Sequence, residues 1–178
     1  KKLGISFTLV VVKKLSDEYY NILCPTFNIT QSEAGCTVSH LWCLNNAIEH
    51  KYRNCIIFED DIIFKKDFVN CFFNIYNTNH DFLMLGAHDY SYSFLNQSMA
   101  NGKLYRPHTN SKYLYGAHAN YYSLHGATIM FKLHELHISF FDNYNKEIFQ
   151  HLHQTSFVCT PNLVVADVSQ SSLNHSHE

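Results

Sequence analysis

Three consecutive carboxylates, Glu59, Asp60 and Asp61, interrupt a strongly apolar and β-branched stretch of this chain. They follow the run 55–58 (Cys-Ile-Ile-Phe) and precede the run 62–64 (Ile-Ile-Phe), and such runs are typical of strands buried on both faces of a sheet. Because acids cannot continue a buried strand, we expect them to lie where the strand leaves its sheet, which is where α/β folds bind ligands. A solvated acidic turn is the alternative interpretation.

The three adjacent charges also predict a metal ion. Neighbouring carboxylates repel one another, and a rigid backbone that holds them together is best tolerated when a divalent cation neutralises them. Mg²⁺ and Mn²⁺ prefer hard oxygen ligands of this kind and bind phosphate oxygens at the same time.

Composition excludes several classes of function. A chain of 178 residues suits one domain over residues 1–178 with a substantial core. Its 13 Lys and Arg against 15 Asp and Glu give a net charge of -2, which offers no basic surface for nucleic acid. No apolar stretch approaches about 18 residues, so we expect no membrane-spanning segment. The six cysteines include no CxxC pair, and we interpret them as reduced thiols in a cytoplasmic compartment.

Hydrophobic spacing predicts strands that alternate with helices. Thr30 and Glu33 have the spacing of a capping box, which opens a helix. Ser123 is expected to cap a later helix in which Gly126 allows close packing, whereas Pro25 favours a loop over residues 16–29. The alternation predicts an α/β fold with a mostly parallel central sheet. The expected strands are 7–12, 55–58, 62–64, 82–85, 103–106, 115–122, 157–160 and 163–166, and the expected helices are 30–51, 66–78, 124–133 and 142–153.

The first predicted helix carries candidate ligand contacts. Gly35 weakens a helix by about 1 kcal/mol relative to alanine, and we expect it to allow close approach of a neighbouring strand. Ser39 and His40 could contact a ligand, although a histidine in mid-helix is more often a hydrogen-bonded structural residue. The polar, aromatic-rich segment 90–101 is expected to be a long loop of the kind that forms lids or binding loops.

Several separated motifs together resemble glycosyltransferase family 25, the family of lipooligosaccharide and collagen sugar transferases. The first is Gly-Cys-Thr-Val-Ser-His at 35–40, followed about one helix later by Ile-Ile-Phe-Glu-Asp-Asp at 56–61. His-Ala-Asn-Tyr-Tyr-Ser at 118–123, with Gly-Ala at 126–127, is similar to the family's strand-and-helix segment. Pro-Asn-Leu-Val-Val at 161–165, with Gln170 and Ser-Ser at 171–172, is similar to its C-terminal segment. The order and spacing of these motifs are more specific than any one of them.

The resemblance implies a GT-A fold and an inverting hexosyl transfer from a nucleotide-sugar, commonly a UDP-sugar, to a hydroxyl of a glycan or protein acceptor. It also implies Mn²⁺, or Mg²⁺, at the acidic motif, with Asp61 as the direct ligand. Asp60 and Glu59 complete that site through the metal, a water or the donor ribose. The metal then stabilises the leaving diphosphate.

Inversion requires a base that deprotonates the acceptor hydroxyl. The resemblance makes Asp142 the first candidate, at the start of a helix, and Asp89 the second, after a buried strand. A helix cap or a turn residue is the structural alternative for each. Among the other candidates, His118 lines the donor or acceptor pocket, and Gln170 or His175 approaches the metal or diphosphate from the tail.

One departure from the family leaves other functions open. Family members usually begin with an Ile-Asn-Leu strand and an Arg-containing helix, and this sequence starts after both, so we expect it to lack the first strand and helix of the fold. A catalytically inactive, glycosyltransferase-like binding protein is therefore the alternative function. A metal-dependent phosphohydrolase is a third, which needs further acidic or histidine ligands close in space. The sequence identifies neither the sugar nor the oligomeric state.

Overall fold

A computed structural model of the chain describes residues 8–11, 16–76, 79–89, 104–107, 114–136, 139 and 141–167. Its helices in this part of the chain are α1 (Asp17–Phe27), α2 (Gln31–Glu49), α3 (Phe68–Ile75), α4 (Leu124–Leu136) and α5 (Tyr144–His151). A 3-10 turn, Phe141–Asn143, directly precedes α5. The strands are β1 (Asn54–Phe58), β2 (Ile62–Phe64), β3 (Phe82–Met84), β4 (His88–Asp89), β5 (Leu104–Tyr105), β6 (Leu114–Tyr115), β7 (Ala119–Ser123), β8 (Ser156–Cys159) and β9 (Val164–Ala166).

Among the described strands, five form the central sheet, in the order β1-β7-β3-β8-β5. Its β3/β8 pair is parallel, whereas β1/β7, β3/β7 and β5/β8 are antiparallel. The α/β class is thus as expected, but the prediction of a mostly parallel sheet is wrong for the described strands. Parallel neighbours need a crossover connection, usually a helix, and the described chain between β3 and β7 contains short strands and no helix. Burial patterns in the sequence identify strands but do not give their direction.

Helices cover both faces of this sheet. Successive residues of a strand point to opposite faces, so Phe82 and Tyr122 pack on the side of α2, α4 and α5, while Leu83 and Tyr121 pack on the side of α3. The helical residues of the first core include Leu44, Met130 and Ile148, and those of the second include Phe68, Phe72 and Ile75. None of the described helices combines the length and the apolar character that crossing a bilayer requires.

Two small sheets flank the central one and connect distant parts of the chain. The antiparallel pair β2/β9 aligns Ile62 with Ala166, which brings Asp167 beside the acidic motif. The backbone N–H of Asp167 donates to the carbonyl of Asp61 at 2.6 Å. The antiparallel pair β4/β6 aligns His88 with Tyr115.

Two predictions for the N-terminal region are wrong. Most of the segment 16–29 forms α1 (Asp17–Phe27). Its N-cap Ser16 accepts a hydrogen bond from the Tyr19 N–H, and Pro25 lies in the last turn before the left-handed residue Asn28. Pro25 removes the one hydrogen bond that its N–H would donate to the Asn21 carbonyl, and α1 tolerates this loss in its last turn. The described part of the expected strand 7–12, residues 8–11, is irregular, with Leu9 74% and Val11 80% exposed. Strand preference alone does not form a strand without a pairing partner.

The other helices begin and end close to their expected limits. Thr30 accepts from the Glu33 N–H, and the Glu33 carboxylate accepts from the Thr30 N–H, which confirms the capping box. Ser123 caps α4 by accepting from the Gly126 N–H at 3.0 Å. The expected loop 90–101 lies outside the described residues.

The two helical glycines differ in their surroundings. A Cβ at Gly126 would clash with the backbone carbonyl of Asp81, so the prediction of close packing there is confirmed. A Cβ at Gly35 would meet only the Tyr20 hydroxyl at 3.6 Å, an ordinary contact, so the expected close approach of a strand at Gly35 is wrong.

These surroundings predict opposite effects of the same substitution. Gly126→Ala should lower the free energy of unfolding by about 1–3 kcal/mol, because the Asp81 backbone must move. Gly35→Ala should raise it by up to about 1 kcal/mol, because alanine favours the helix and fits beside Tyr20. Urea unfolding of both variants measures the difference, and equal effects of the two substitutions would contradict this packing.

Candidate functional site

The acidic motif occupies the turn between β1 of the central sheet and β2 of a flanking sheet. The acids therefore lie where a strand leaves its sheet, as the sequence predicts. The backbone N–H of Glu59 donates to the carbonyl of His118 at 3.0 Å, which fixes the start of the turn against the chain just before β7. Of the three side chains, Asp60 is exposed, whereas Glu59 and Asp61 are partly buried.

Glu59 turns toward α2. Its Oε1 lies 3.2 Å from Nε2 of His40 and accepts a hydrogen bond from the Cys36 thiol at 3.3 Å. Burial raises the pKa of Glu59, but the hydrogen bond and charge of His40 and the Cys36 hydrogen bond outweigh it, so the net pKa lies below the ordinary value. The carboxylate is thus ionised, and the interaction joins the end of β1 to the middle of α2.

Asp61 has a different environment. Burial is the largest cause that raises the pKa of its carboxyl, and the charges of Glu59, Asp60 and Asp167 raise it further. Its Oδ1 is buried and has no hydrogen-bond partner within the described part of the chain. A carboxylate oxygen that lacks a donor and is surrounded by negative charges is suited to a cation, so Asp61 fits the metal that the sequence implies.

Asp142, the first candidate base, lies in the 3-10 turn before α5 and faces the same group of residues. Burial raises its pKa to about 6, and the charge of Glu59 contributes, while His40, the Gly116 N–H and Lys146 act in the opposite direction. The charge of Asp142 in turn raises the pKa of Cys36. The structure therefore brings Asp142, Glu59, His40 and Cys36 together from distant parts of the sequence.

Aromatic stacking fixes the position of the Asp142 turn. The preceding residue, Phe141, is buried, and its ring stacks on His40 of α2 at 4.2 Å and on His134 of α4 at 5.0 Å between centroids. Burial lowers the pKa of His134 to about 3, so this ring is neutral and acts as an aromatic partner. Packing between two helices thus determines where the carboxyl of Asp142 lies.

Gly116 supports Asp142 from the other side. Its N–H donates to the Asp142 carboxyl, and its carbonyl accepts from Nδ2 of Asn145 in α5 at 3.0 Å. Gly116 has φ of +134°, a conformation that favours glycine. Because a side chain at this position would be strained, the glycine places its amide where Asp142 can accept from it.

His118 also lies beside the acidic motif. Its ring is buried and lies 5.7 Å from the ring of His88 between centroids. Burial lowers the pKa of His118, although the charge of Glu59 acts in the opposite direction. The expectation that His118 lines a pocket remains a prediction, but its position next to Glu59 agrees with it.

Four other predicted site residues stay predictions. The hydroxyl of Ser39 donates to the Gly35 carbonyl of its own helix at 2.8 Å, a contact within α2. For Asp89 the structure describes only the backbone, which pairs with Leu114. Gln170 and His175 lie outside the described residues.

Sequence reasoning missed three residues that belong to the site. Cys36 precedes His40 by four residues on one helix, a spacing that places both side chains on the same face and could have identified the pair. Asp167 follows the last described strand, but only the β2/β9 pairing reveals its partner. Phe141 has no signal in the sequence beyond its apolar character.

Two comparisons with known proteins bear on this site. The model of a protein family described as glycosyltransferase family 25 (LPS biosynthesis protein) matches residues 10–139. That range includes α2, the acidic motif and β7, but not Asp142 or Asp167. No curated protein matches the chain.

The raised pKa of Asp142 predicts how stability depends on pH. The folded state disfavours the ionised carboxyl, so the wild-type chain loses stability as pH rises from the ordinary value of 3.8 through about 6. Asp142→Asn removes this penalty, so it should raise the free energy of unfolding relative to the wild type. The increase should be about 1 kcal/mol larger at about pH 8 than at about pH 5. Asn143→Ala, which changes a neighbour that does not titrate, should have the same effect at both pH values. A gain from Asp142→Asn that does not depend on pH would contradict the raised pKa.

Proposed function

The chain belongs to glycosyltransferase family 25 and is a glycosyltransferase, and we propose that it transfers a hexosyl group from a UDP-sugar to a hydroxyl of a glycan or protein acceptor, with inversion at the anomeric carbon. The proposal includes a GT-A type of domain in which the acids after β1 bind the donor. The observation that carries it is the convergence of Asp142 with the acidic motif, because inverting transfer needs a base opposite the leaving group.

We propose that Asp61 holds Mn²⁺, or Mg²⁺, with Asp60 beside it and Glu59 acting through the metal, a water or the donor ribose. Bound there, the cation would stabilise the negative charge that develops on the leaving diphosphate. The buried Oδ1 of Asp61 supports this role, and Asp167, next to Asp61 through the β2/β9 pair, adds another carboxylate. His175 and Gln170 remain proposed contacts from the tail.

Asp142 is the proposed base. Its pKa of about 6 keeps the carboxyl ionised at neutral pH, yet makes it more basic than an ordinary aspartate. The acceptor O–H would donate to Asp142 as the oxygen attacks the anomeric carbon, and the proton would then remain on this carboxyl. Asp89 is kept as the second candidate.

The environment of His40 and His118 supports a role in positioning. His40 holds the Glu59 carboxylate and stacks on Phe141, so one side chain connects the donor side of the proposed site to the base. The carbonyl of His118 holds the Glu59 backbone, and its ring is proposed to line the pocket.

Substitution of Asp61 tests the role of the metal. In Mn²⁺ with a panel of UDP-sugars, the wild-type chain should release UDP, and Asp61→Asn should lower kcat/KM by at least about a hundredfold through loss of charge stabilisation. The matched control is Asp67→Asn, which changes an exposed acid at a left-handed position that asparagine also tolerates. Thermal unfolding should show that both variants are folded.

Two results would contradict this assignment. Full activity of Asp61→Asn would exclude Asp61 as the metal ligand. Nucleotide-sugars that raise the unfolding temperature of the wild-type chain without any release of UDP would favour the inactive binding protein instead.

Substitution of Asp142 separates the base from the metal site. Asp142→Asn should lower kcat by about 10²–10⁴ and leave donor binding in Mn²⁺ unchanged, because it removes only proton transfer. The wild-type kcat should rise with pH through about 6, as the carboxyl ionises, and this step should disappear in the variant. Asp89→Asn should retain activity. If Asp142→Asn stays active and Asp89→Asn loses activity, Asp89 is the base instead.

A further inference from the structure

We propose that Cys36, His40 and Glu59 form a second metal site, selective for a borderline-soft divalent cation such as Zn²⁺. Its sulfur and nitrogen ligands are not part of the Mn²⁺ site proposed at Asp61, and Glu59 is the residue that the two sites share. The Sγ of Cys36, a ring nitrogen of His40 and a carboxylate oxygen of Glu59 all lie within 4.8 Å of one another. Among the residues that the structure describes, this is a set of three potential ligand atoms close enough to share one ion.

The backbone arranges these three donors before any ion binds. Cys36 and His40 lie four residues apart in α2, which places both on one face of the helix. Glu59 faces them from the turn after β1. Because α2 is a regular helix of 19 residues and β1 belongs to the central sheet, both supports are rigid.

The distances approach those of a zinc centre. Zinc lies about 2.3 Å from sulfur and about 2.0–2.1 Å from nitrogen and oxygen, so ligands of one tetrahedral ion are roughly 3.3–3.6 Å apart. The Oε1 of Glu59 already lies 3.3 Å from Sγ of Cys36 and 3.2 Å from Nε2 of His40. The ion can therefore replace the protons that these two contacts now share, while the Cys36 and His40 ligand atoms, which lie within 4.8 Å of each other, adjust by rotation of their side chains.

The surrounding charge also favours a cation. Burial raises the pKa of the Cys36 thiol well above its ordinary value, and the charges of Glu59, Asp142 and Asp61 raise it further, so a thiolate at this position needs a cation beside it. Coordination requires that Cys36 lose its thiol proton to solvent, and that His40 bind through Nε2 with its ring proton on Nδ1. A divalent ion compensates the thiolate and the carboxylate together.

The donor set distinguishes the two sites. Thiolate and imidazole favour zinc or cobalt, whereas Mn²⁺ prefers the oxygen ligands offered by Asp61 and its neighbours. Three protein ligands leave the fourth tetrahedral position to water, as in catalytic zinc sites. This inference does not depend on the transfer reaction, because neither donor nor acceptor takes part in binding the ion.

Co²⁺ is the probe that tests the site, because a cobalt thiolate absorbs in the near ultraviolet and tetrahedral cobalt has intense visible bands. Added to the purified, reduced full chain, one equivalent should produce both features, Zn²⁺ should abolish them by displacement, and excess Mn²⁺ should leave them intact. Cys36→Ser should lose the thiolate band. Cys43→Ser, which alters another partly buried thiol on the same helix, should retain it.

Serine is close in size to cysteine and still donates to Glu59, and thermal unfolding verifies that the variant is folded. His40→Asn provides a second variant, which should weaken Co²⁺ binding at least tenfold while the thiolate remains. The proposal is overturned if the wild-type chain shows no thiolate band, if Cys36→Ser keeps it, or if Cys43→Ser loses it. A chain that binds Co²⁺ as described but releases no UDP would contradict the proposed function and leave this site in place.

Discussion

The Glu59 carboxylate is the contact on which the arrangement of the site depends. It is held by His40 and Cys36 of α2, and its backbone is held by His118, so a single residue joins the edge strand β1, the longest described helix and the approach to β7. A hydrogen bond to a charged group contributes more to the stability of the fold than a hydrogen bond between neutral groups does. Removal of both side-chain partners would leave a partly buried charge without compensation.

The clustered acids avoid their mutual repulsion in three different ways. Glu59 is paired with a histidine, and Asp60 is exposed to solvent. Asp142 and Asp61 retain raised pKa values, which in Asp142 supports a base and in Asp61 a cation ligand. The same repulsion that makes the sequence Glu-Asp-Asp unusual in a turn thus gives each acid a separate chemical character. This division supports the proposal that one short motif serves both metal binding and the position of a neighbouring base.

Local sequence signals predicted the local structure well. The capping box at Thr30 and the cap at Ser123 depend on neighbours within a few residues, and both are confirmed. The close packing at Gly126 is also confirmed, although the residue it packs against, Asp81, is distant in the sequence. The direction of β7, the helix around Pro25 and the pairing of β2 with β9 depend on distant partners, which spacing cannot reveal. The same limit applies to the site: the acids were candidates from the sequence pattern itself and Asp142 from the family resemblance, whereas Cys36 and Asp167 emerged only from the tertiary contacts.

The most direct test of the account is where Mn²⁺ binds. In an isotope-labelled chain with a nucleoside diphosphate present, small additions of Mn²⁺ should broaden the amide resonances of Asp61 and Asp167 first, since those amides lie beside the proposed ion. The amides of Asn54 and Ser123, paired at the far end of β1, should remain sharp. Broadening that begins elsewhere, or that affects all four amides equally, would contradict the proposal that the acids after β1 bind the metal of a sugar donor.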